Sequence, residues 1–401
     1  MDFHFTAGEL ALKKQYDDFF REEMKHAPPV VCKGGYEVPY SKEAYQFNRY
    51  IRKKLVEKGW YVQGWPKEYG GRDASLAEQM IFNESVAYFG IPIDSIAVKM
   101  FGPAVMLYGT DEQKKRLLLP IAKGEVQYCQ GWTEPNAGSD LASLKTTAIK
   151  DGEYYVINGQ KIWITAAHIA DHMFLLARTN PAEKRSRGLS VFNVDLSLPG
   201  IEIRPIKYMN GSHVYNEVFF ADCRIHESER IGQENYGWEQ TRETMNFERS
   251  GSGIERFAGI RRYFEQILGY VKTTKRNGKY LWEDPLVRQK IGKIYAEMET
   301  GRALAYKNAW LQQVGNLRFS PAAASELKVY GTELIQRLSN FSLEIMGFQG
   351  NIEESQWSPL NGIMIDNYQS IIGSIICAGS NEIQRNIIAW VGCGLPRLKG
   401  Q

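Results

Sequence analysis

The chain has 401 residues, 43% apolar and 24% charged, with a formal net charge of +3. That length fits two or three domains around a core of ordinary size, and a charge so near neutral offers no general surface for nucleic acid. Five cysteines, an odd number without a C-x-x-C pair, predict reduced and mostly buried thiols instead of a disulfide framework.

Met1 to Leu10 carries no basic stretch ahead of an apolar core, so no secretory signal is read there and a cytoplasmic protein is expected. From Thr6 to about Lys123 apolar residues recur at helical spacing: Leu10, Ala11, Tyr16, Phe19 and Phe20, then Tyr45 to Val56 ahead of Gly59. Gly64-Trp65-Pro66 and Tyr69-Gly70-Gly71 predict a loop between them. The most apolar stretch, Ile91 to Tyr108, is interrupted by Asp94, Lys99 and Gly102-Pro103 and reads as buried protein, not as a membrane span.

Near Val126 the pattern becomes one of short β-branched and aromatic runs: Tyr154 to Ile157, Lys161 to Thr165, Phe174 to Ala177, Leu189 to Val194 and Val218 to Phe220. Turns are predicted at Asp151-Gly152, Asn158-Gly159 and Pro199-Gly200. From Trp238 long helical patterns return, with loops at Asn277-Gly278 and from Gly347 to Gln356. The order is helices, strands, helices, an α+β multidomain chain with boundaries expected at 1–125, 126–235 and 236–401. Such segregation argues against an alternating sheet of the dinucleotide-binding kind.

Two segments concentrate chemistry. In Trp132-Thr133-Glu134-Pro135-Asn136-Ala137-Gly138-Ser139-Asp140, Pro135 fixes one dihedral, Gly138 permits close approach and Thr133 and Ser139 place hydroxyls beside main-chain amides. Such a loop can grip a planar polar ring, and taken alone it suits an elaborate hairpin turn equally well. In Asn158-Gly159-Gln160-Lys161-Ile162-Trp163-Ile164-Thr165, a broad indole is followed two residues later by a hydroxyl on the same strand face. A core tryptophan would read the same way. His168 and His172 are four apart, but Ile-Ala-Asp between them is not a zinc-protease pattern and no third ligand is evident, so no metal site is expected.

T-E-P-x-A-G-S-D followed by N-G-x-K-x-W-I-T resembles the acyl-CoA dehydrogenase family, and Ala378-Gly379-Ser380-Asn381-Glu382-Ile383-Gln384-Arg385 resembles that family's C-terminal signature. The resemblance spans essentially the whole chain. It implies an N-terminal helical domain, a central small β-barrel or sandwich and a C-terminal four-helix bundle. It also implies FAD, held by Gln130, Trp132, Thr133, Gly138, Ser139, Trp163 and Thr165, with Ser139 also facing CoA. Arg276 resembles the arginine that reaches the FAD pyrophosphate of a neighbouring subunit, Gln349 and Gly350 stand at the family's glycine-rich cofactor loop without its Gly-Gly pair, and Ser380 and Glu382 would lie by the adenine and ribose end.

The reaction so implied is α,β-dehydrogenation of an acyl-CoA thioester to 2-enoyl-CoA, the chemistry of β-oxidation, and it needs a carboxylate base. Many members place that glutamate immediately before the glycine of the C-terminal signature, where this chain has Ala378. Members of the isovaleryl and long-chain type place it on an earlier helix before an arginine, which here singles out Glu248, with Asn246 and Arg249 as CoA-side neighbours. An apolar surround would raise the pKa of Glu248 and suit it to accept a proton. The main-chain N–H at Ala378, beside Gly379, survives the loss of a side chain and can stabilise an enolate. No arginine stands where glutaryl-type members hold a distal carboxylate, which disfavours that substrate.

After Arg249, Ser250-Gly251-Ser252-Gly253 puts two glycines in a helix interior at about 1 kcal/mol each; either room for a branched or cyclic acyl group or close helix packing would compensate. An electron-transfer flavoprotein as acceptor and assembly as a dimer or tetramer complete the expectation. The alternatives are a flavin oxidase or monooxygenase on the same fold, and a non-catalytic or partner-dependent subunit of a hetero-oligomer, for which Ala378 is the best argument.

Overall fold

The computed structural model describes residues 5–33, 41–93, 96–314 and 320–397, with the backbone alone at residues 33, 246–252, 313 and 314. The helices are α1 (Ala7–Glu23), α2 (Pro29–Lys33), α3 (Lys42–Glu57), α4 (Leu76–Phe89), α5 (Gly102–Tyr108), α6 (Asp111–Ala122), α7 (Gly237–Thr273), α8 (Pro285–Val314), α9 (Pro321–Met346), α10 (Ile363–Ser374) and α11 (Asn381–Ile387). The strands are β1 (Tyr128–Gly131), β2 (Thr147–Asp151), β3 (Tyr154–Thr165), β4 (His172–Arg178), β5 (Leu189–Asp195), β6 (Ile201–Lys207), β7 (His213–His226), β8 (Arg230–Ile231), β9 (Lys275–Arg276) and β10 (Lys279–Tyr280). None of the described helices is long and apolar enough to cross a membrane.

The chain forms two compact units interleaved in sequence, one from Met1–Val38, Ser75–Ile91 and Arg249–Gln401, the other from Pro39–Ala74 and Pro92–Glu248. In the first, α1 and α4 start at Thr6 and Ser75, whose hydroxyls accept the Glu9 and Glu78 amides while those glutamates reach back to the cap. Tyr16 and Phe20 of α1 pack against Phe82 of α4 with ring centroids 5.2 and 5.8 Å apart. A larger core gathers Ile254, Phe257, Ile260 and Phe264 of α7, Ile291 and Met298 of α8, and Leu334, Leu338 and Phe341 of α9. Gly301 is required there, since a Cβ would stand 2.0 Å from the Phe257 ring. At Gly253 close helix packing is what the structure contains, because a Cβ would meet Leu327 Cδ1 at 2.7 Å. Ser250, Gly251 and Ser252 lie outside the described side chains.

The second unit carries an eight-stranded sheet in the order β6-β7-β3-β2-β4-β5-β8, with β1 pairing parallel to β4. Its core includes Tyr155, Ile157, Ile164, Leu175, Phe192, Val218 and Cys223. The predicted turn at Asn158-Gly159 is absent: both residues lie inside β3, at a register shift between Ile157 and Gly159. Gly159 has φ 147°, and a Cβ there would stand 2.7 Å from Thr146 Cα, so the dipeptide makes a bulge that lets β2 approach. Asn277-Gly278 does make a hairpin turn between β9 and β10, with φ 52° and 81°. The thiols also depart from expectation: Cys129 and Cys223 are buried, while Cys32, Cys377 and Cys393 are exposed.

Candidate active site

In the sheet unit the T-E-P loop is anchored by a buried ion pair. Lys161 is completely buried, and its Nζ donates to Glu134 Oε1 at 2.9 Å and to the Trp132 carbonyl at 3.0 Å. Glu134 also accepts the Thr146 and Lys145 amides at 2.8 and 2.6 Å. Burial opposes the charge on Glu134, but Lys161 and these donors outweigh it and hold the carboxyl below its ordinary range. For Lys161 burial prevails and lowers the ammonium to about 8 against the pull of Glu134. The Ile162 amide donates to the Thr133 carbonyl at 2.9 Å, laying the loop along β3.

Between Lys161 and Ile164 a second bulge shifts the phase of β3, with Trp163 at φ 60°. Lys161 therefore stays inside while Trp163, 52% exposed, turns out beside exposed Thr165, its ring edge-on to Tyr215 at 6.0 Å. The loop and the end of β3 that it runs along present unspent donors. The hydroxyls of Thr133, Ser139 and Thr165 and the amides of Gly138 and Ser139 bond to nothing among the described residues. The Trp132 Nε1, buried, has no partner among them either. Gln130 on β1 is half-buried. A planar ring bearing carbonyls and ring nitrogens fits such a set, flat against the indole and accepting from hydroxyls and amides.

Other predicted residues belong to the helical unit. The Arg276 guanidinium donates to the Ile345 carbonyl at the end of α9, next to the short helical turn Gly347–Asn351 that contains Gln349 and Gly350. Ser380 caps α11, accepting the Ile383 amide at 3.4 Å. Glu382, in the first turn, is held below its ordinary value by its own amide, the Ser380 hydroxyl, Arg385 and Lys328. Ala378 and Gly379 form a turn with φ 52° and 81°, and their N–H groups donate to nothing among the described residues. A left-handed alanine costs about 1–2 kcal/mol, so this turn is maintained by its surroundings. Glu248, Asn246 and Arg249 stand on α7, and their side chains lie outside the described residues.

A cavity of about 170 Å³ opens in the helical unit between α4, α7 and α9, lined by Ile91, Glu255, Arg256, Gly259, Tyr263 and Ile335 among others. Positions 255 and 259 follow 248 at the seven- and eleven-residue spacing of one helix stripe, roughly 10 and 16 Å along the axis. His168 and His172 do not share a helix: His168 stacks on His213 at 3.9 Å in a turn, and His172 opens β4 stacked on Tyr128. No group able to hold a metal ion occurs among the described residues.

Family models described as the acyl-CoA dehydrogenase N-terminal, middle and C-terminal domains match residues 6–125, 129–223 and 235–391. The chain belongs to the acyl-CoA dehydrogenase family. This dehydrogenase is 36% identical over 375 residues to the acyl-CoA dehydrogenase IpdE1 of Mycolicibacterium smegmatis, covering 89% of this chain and 91% of that one. It is 34% identical over 350 residues to FadE26 of Mycobacterium tuberculosis, covering 86% and 87%. Among solved structures it is similar to the Tcur3481–Tcur3483 steroid ACAD (TM-score 0.89, 31% identity, 99% and 100% covered) and to the ChsE4–ChsE5 complex of Mycobacterium tuberculosis (TM-score 0.87, 30%, 99% and 100%). The dehydrogenase is an oxidoreductase acting on acyl-CoA, and its cofactor is FAD. The donors around Trp163 fit that flavin.

Reading the sequence missed Glu134 and Lys161 as the frame of the loop, although both lie inside the quoted motifs. A lysine set among the strand residues Ile162, Trp163 and Ile164, matched by a glutamate in the neighbouring motif, is the signal that could have found them.

Proposed function

We propose that the chain catalyses α,β-dehydrogenation of an acyl-CoA to 2-enoyl-CoA, with Glu248 as the base and a branched or ring-bearing acyl group as substrate. The reading is carried by the set of unspent donors around Trp163 together with the unspent Ala378 N–H. Gln130, Trp132, Thr133, Gly138, Ser139, Trp163 and Thr165 would bind and orient the flavin ring. Arg276, Gln349, Gly350, Ser380 and Glu382 would hold the remainder of the cofactor. Bound FAD supplies the acceptor for the β hydride. Glu248 takes the α proton, and the N–H of Ala378 accommodates the negative charge that grows on the thioester oxygen as that proton leaves. Ser139, Asn246, Arg249 and Gly379 would meet CoA. The bulky acyl group rests on one solved neighbour being named a steroid ACAD. An electron-transfer flavoprotein is the proposed electron acceptor.

The test is anaerobic titration of the flavoprotein with straight, branched and ring-bearing acyl-CoAs, for the parent and for Glu248→Gln. Bleaching of the flavin should be fast in the parent and slower by about a hundredfold or more in the variant. Equal rates would remove Glu248 from the mechanism, and preference for short straight chains would remove the bulky substrate.

A second reading concerns assembly. Two of the similar solved structures are named for pairs of chains, which favours a hetero-oligomer over the homodimer or homotetramer of the first reading.

A further inference from the structure

Beneath the Ala378–Gly379 turn lies Lys328, in the first third of α9 and 7% exposed. Its ammonium donates to the Ile375 carbonyl at 3.1 Å and to Asn381 Oδ1 at 2.6 Å. Ile375 closes α10 and Asn381 opens α11, so one side chain ties the two helix ends between which the turn is strung. The Asn381 main-chain N–H donates to the same Ile375 carbonyl at 2.9 Å. Its Nδ2 donates to Thr332 Oγ1 at 3.1 Å and to Glu333 Oε1 at 3.3 Å. Gln384 then draws in the turn itself: Nε2 donates to the Ala378 and Gly379 carbonyls at 2.9 and 3.3 Å, while Oε1 accepts from Ser325 Oγ at 2.6 Å. The carbonyls of the turn are thereby spent on α11, and the amides of Ala378 and Gly379 are left over.

We propose that Lys328 is a positioning residue for the reaction, fixing the Ala378–Gly379 turn so that the Ala378 N–H is held ready for the thioester oxygen. This rests on the dehydrogenation reading given above. A left-handed alanine next to a glycine would relax to many conformations if its two flanking helix ends were free, and a donor that wanders stabilises nothing. Lys328 removes that freedom from within the protein without touching substrate. It also brings a positive charge beneath the place where negative charge grows. Burial is the largest influence on it, lowering the ammonium to about 8, with Arg256 pushing the same way and Cys377, Glu382 and Glu333 opposing, so the group is charged at neutral pH.

The experiment uses the FAD-loaded parent, Lys328→Met, Lys328→Arg and Asn381→Ala. For each it measures FAD content, the Kd of an acyl-CoA that the parent oxidises, the bleaching rate at saturation, and exchange of α protons into D2O on an acyl-CoA analogue whose β carbon carries no hydrogen. Exchange needs the base and the enolate stabiliser but no hydride transfer, so it reads the positioned N–H independently of turnover. The expected result is that Lys328→Met lowers bleaching and exchange together by about tenfold or more, with FAD content unchanged and Kd within about threefold, and that Lys328→Arg recovers most of both. Lys328→Met within about twofold of the parent in both rates overturns the proposal. If that variant does not fold, Asn381→Ala decides by the same limits, and loss of folding in both overturns the proposal by making Lys328 a structural prop. A parent that no acyl-CoA bleaches, or one bleached equally after Glu248→Gln, fails at the dehydrogenation reading instead, before any Lys328 variant is compared.

Discussion

Lys161 and Glu134 are each charged and each buried, and their value to the fold lies in being present together. Removing one partner of such a pair leaves an uncompensated charge and typically costs about 3–5 kcal/mol, whereas replacing both costs far less. Lys161→Met should therefore lower the thermal midpoint sharply, and Lys161→Met with Glu134→Gln should recover much of the loss; calorimetry of the three proteins checks this. The pH dependence has a definite sign. Glu134 is held below its ordinary 4.5, so its contribution is present above that value and lost as pH falls through the lowered one. Stability of the parent should drop in acid more steeply than that of Glu134→Gln. These residues show the limit of reading a sequence: the motif around Trp163 was visible, but which of its members faces inward depends on a bulge in β3 that alternation of side chains does not encode.

At the scale of elements, the two Asn-Gly dipeptides make the same point. At Asn277-Gly278 the pair makes its expected hairpin, because nothing but two short strands flanks it. At Asn158-Gly159 the neighbouring β2 and β7 keep the chain extended and turn the same letters into a bulge. Gly159→Ala should cost about 2 kcal/mol or more, since φ 147° and Thr146 Cα at 2.7 Å both oppose a Cβ, and Gly278→Ala, in open space at φ 81°, about 1 kcal/mol. Urea melts of the two variants would rank them, and the reverse order would mean that Thr146 yields. Helix starts carry a more local signal, though the sequence reading did not use it: Thr6 and Ser75 have their box partners within three residues. The strands missed in the sequence, β1, β2, β6 and the two-residue β8, β9 and β10, are ones whose apolar run is too short or too polar to stand out from turns.

For the whole molecule, the order of helices and strands was legible from the change of apolar period, and the family because two motifs in the strand region are joined by a third near the end of the chain. Assembly was not, since exposed apolar residues such as Phe348 and Trp357 carry no address for what covers them. If the second reading of assembly holds, the chain expressed alone should be poor in FAD and silent toward acyl-CoA, and should gain both on co-expression with a paralogous chain from its own source. Size-exclusion chromatography with flavin absorbance separates this from a homo-oligomer that is yellow and active alone.

The interleaving of the two units sets a timetable for synthesis. A ribosome has made every segment of the sheet-bearing unit once Glu248 is out, while α4, translated long before, still waits for α7, α8 and α9, with which its Met80 shares a core. Until then Met80 and Leu76 of α4 are without the partners that bury them, although Tyr16 and Phe20 of α1 can already pack on Phe82. Contacts so distant along the chain form slowly, and at translation rates of about 5–20 residues per second this face of α4 stays uncovered for on the order of ten seconds or more. A chain truncated before α7 is therefore expected to leave that face of α4 in solvent and to be less soluble than the full chain, which the soluble fraction after expression of both would check.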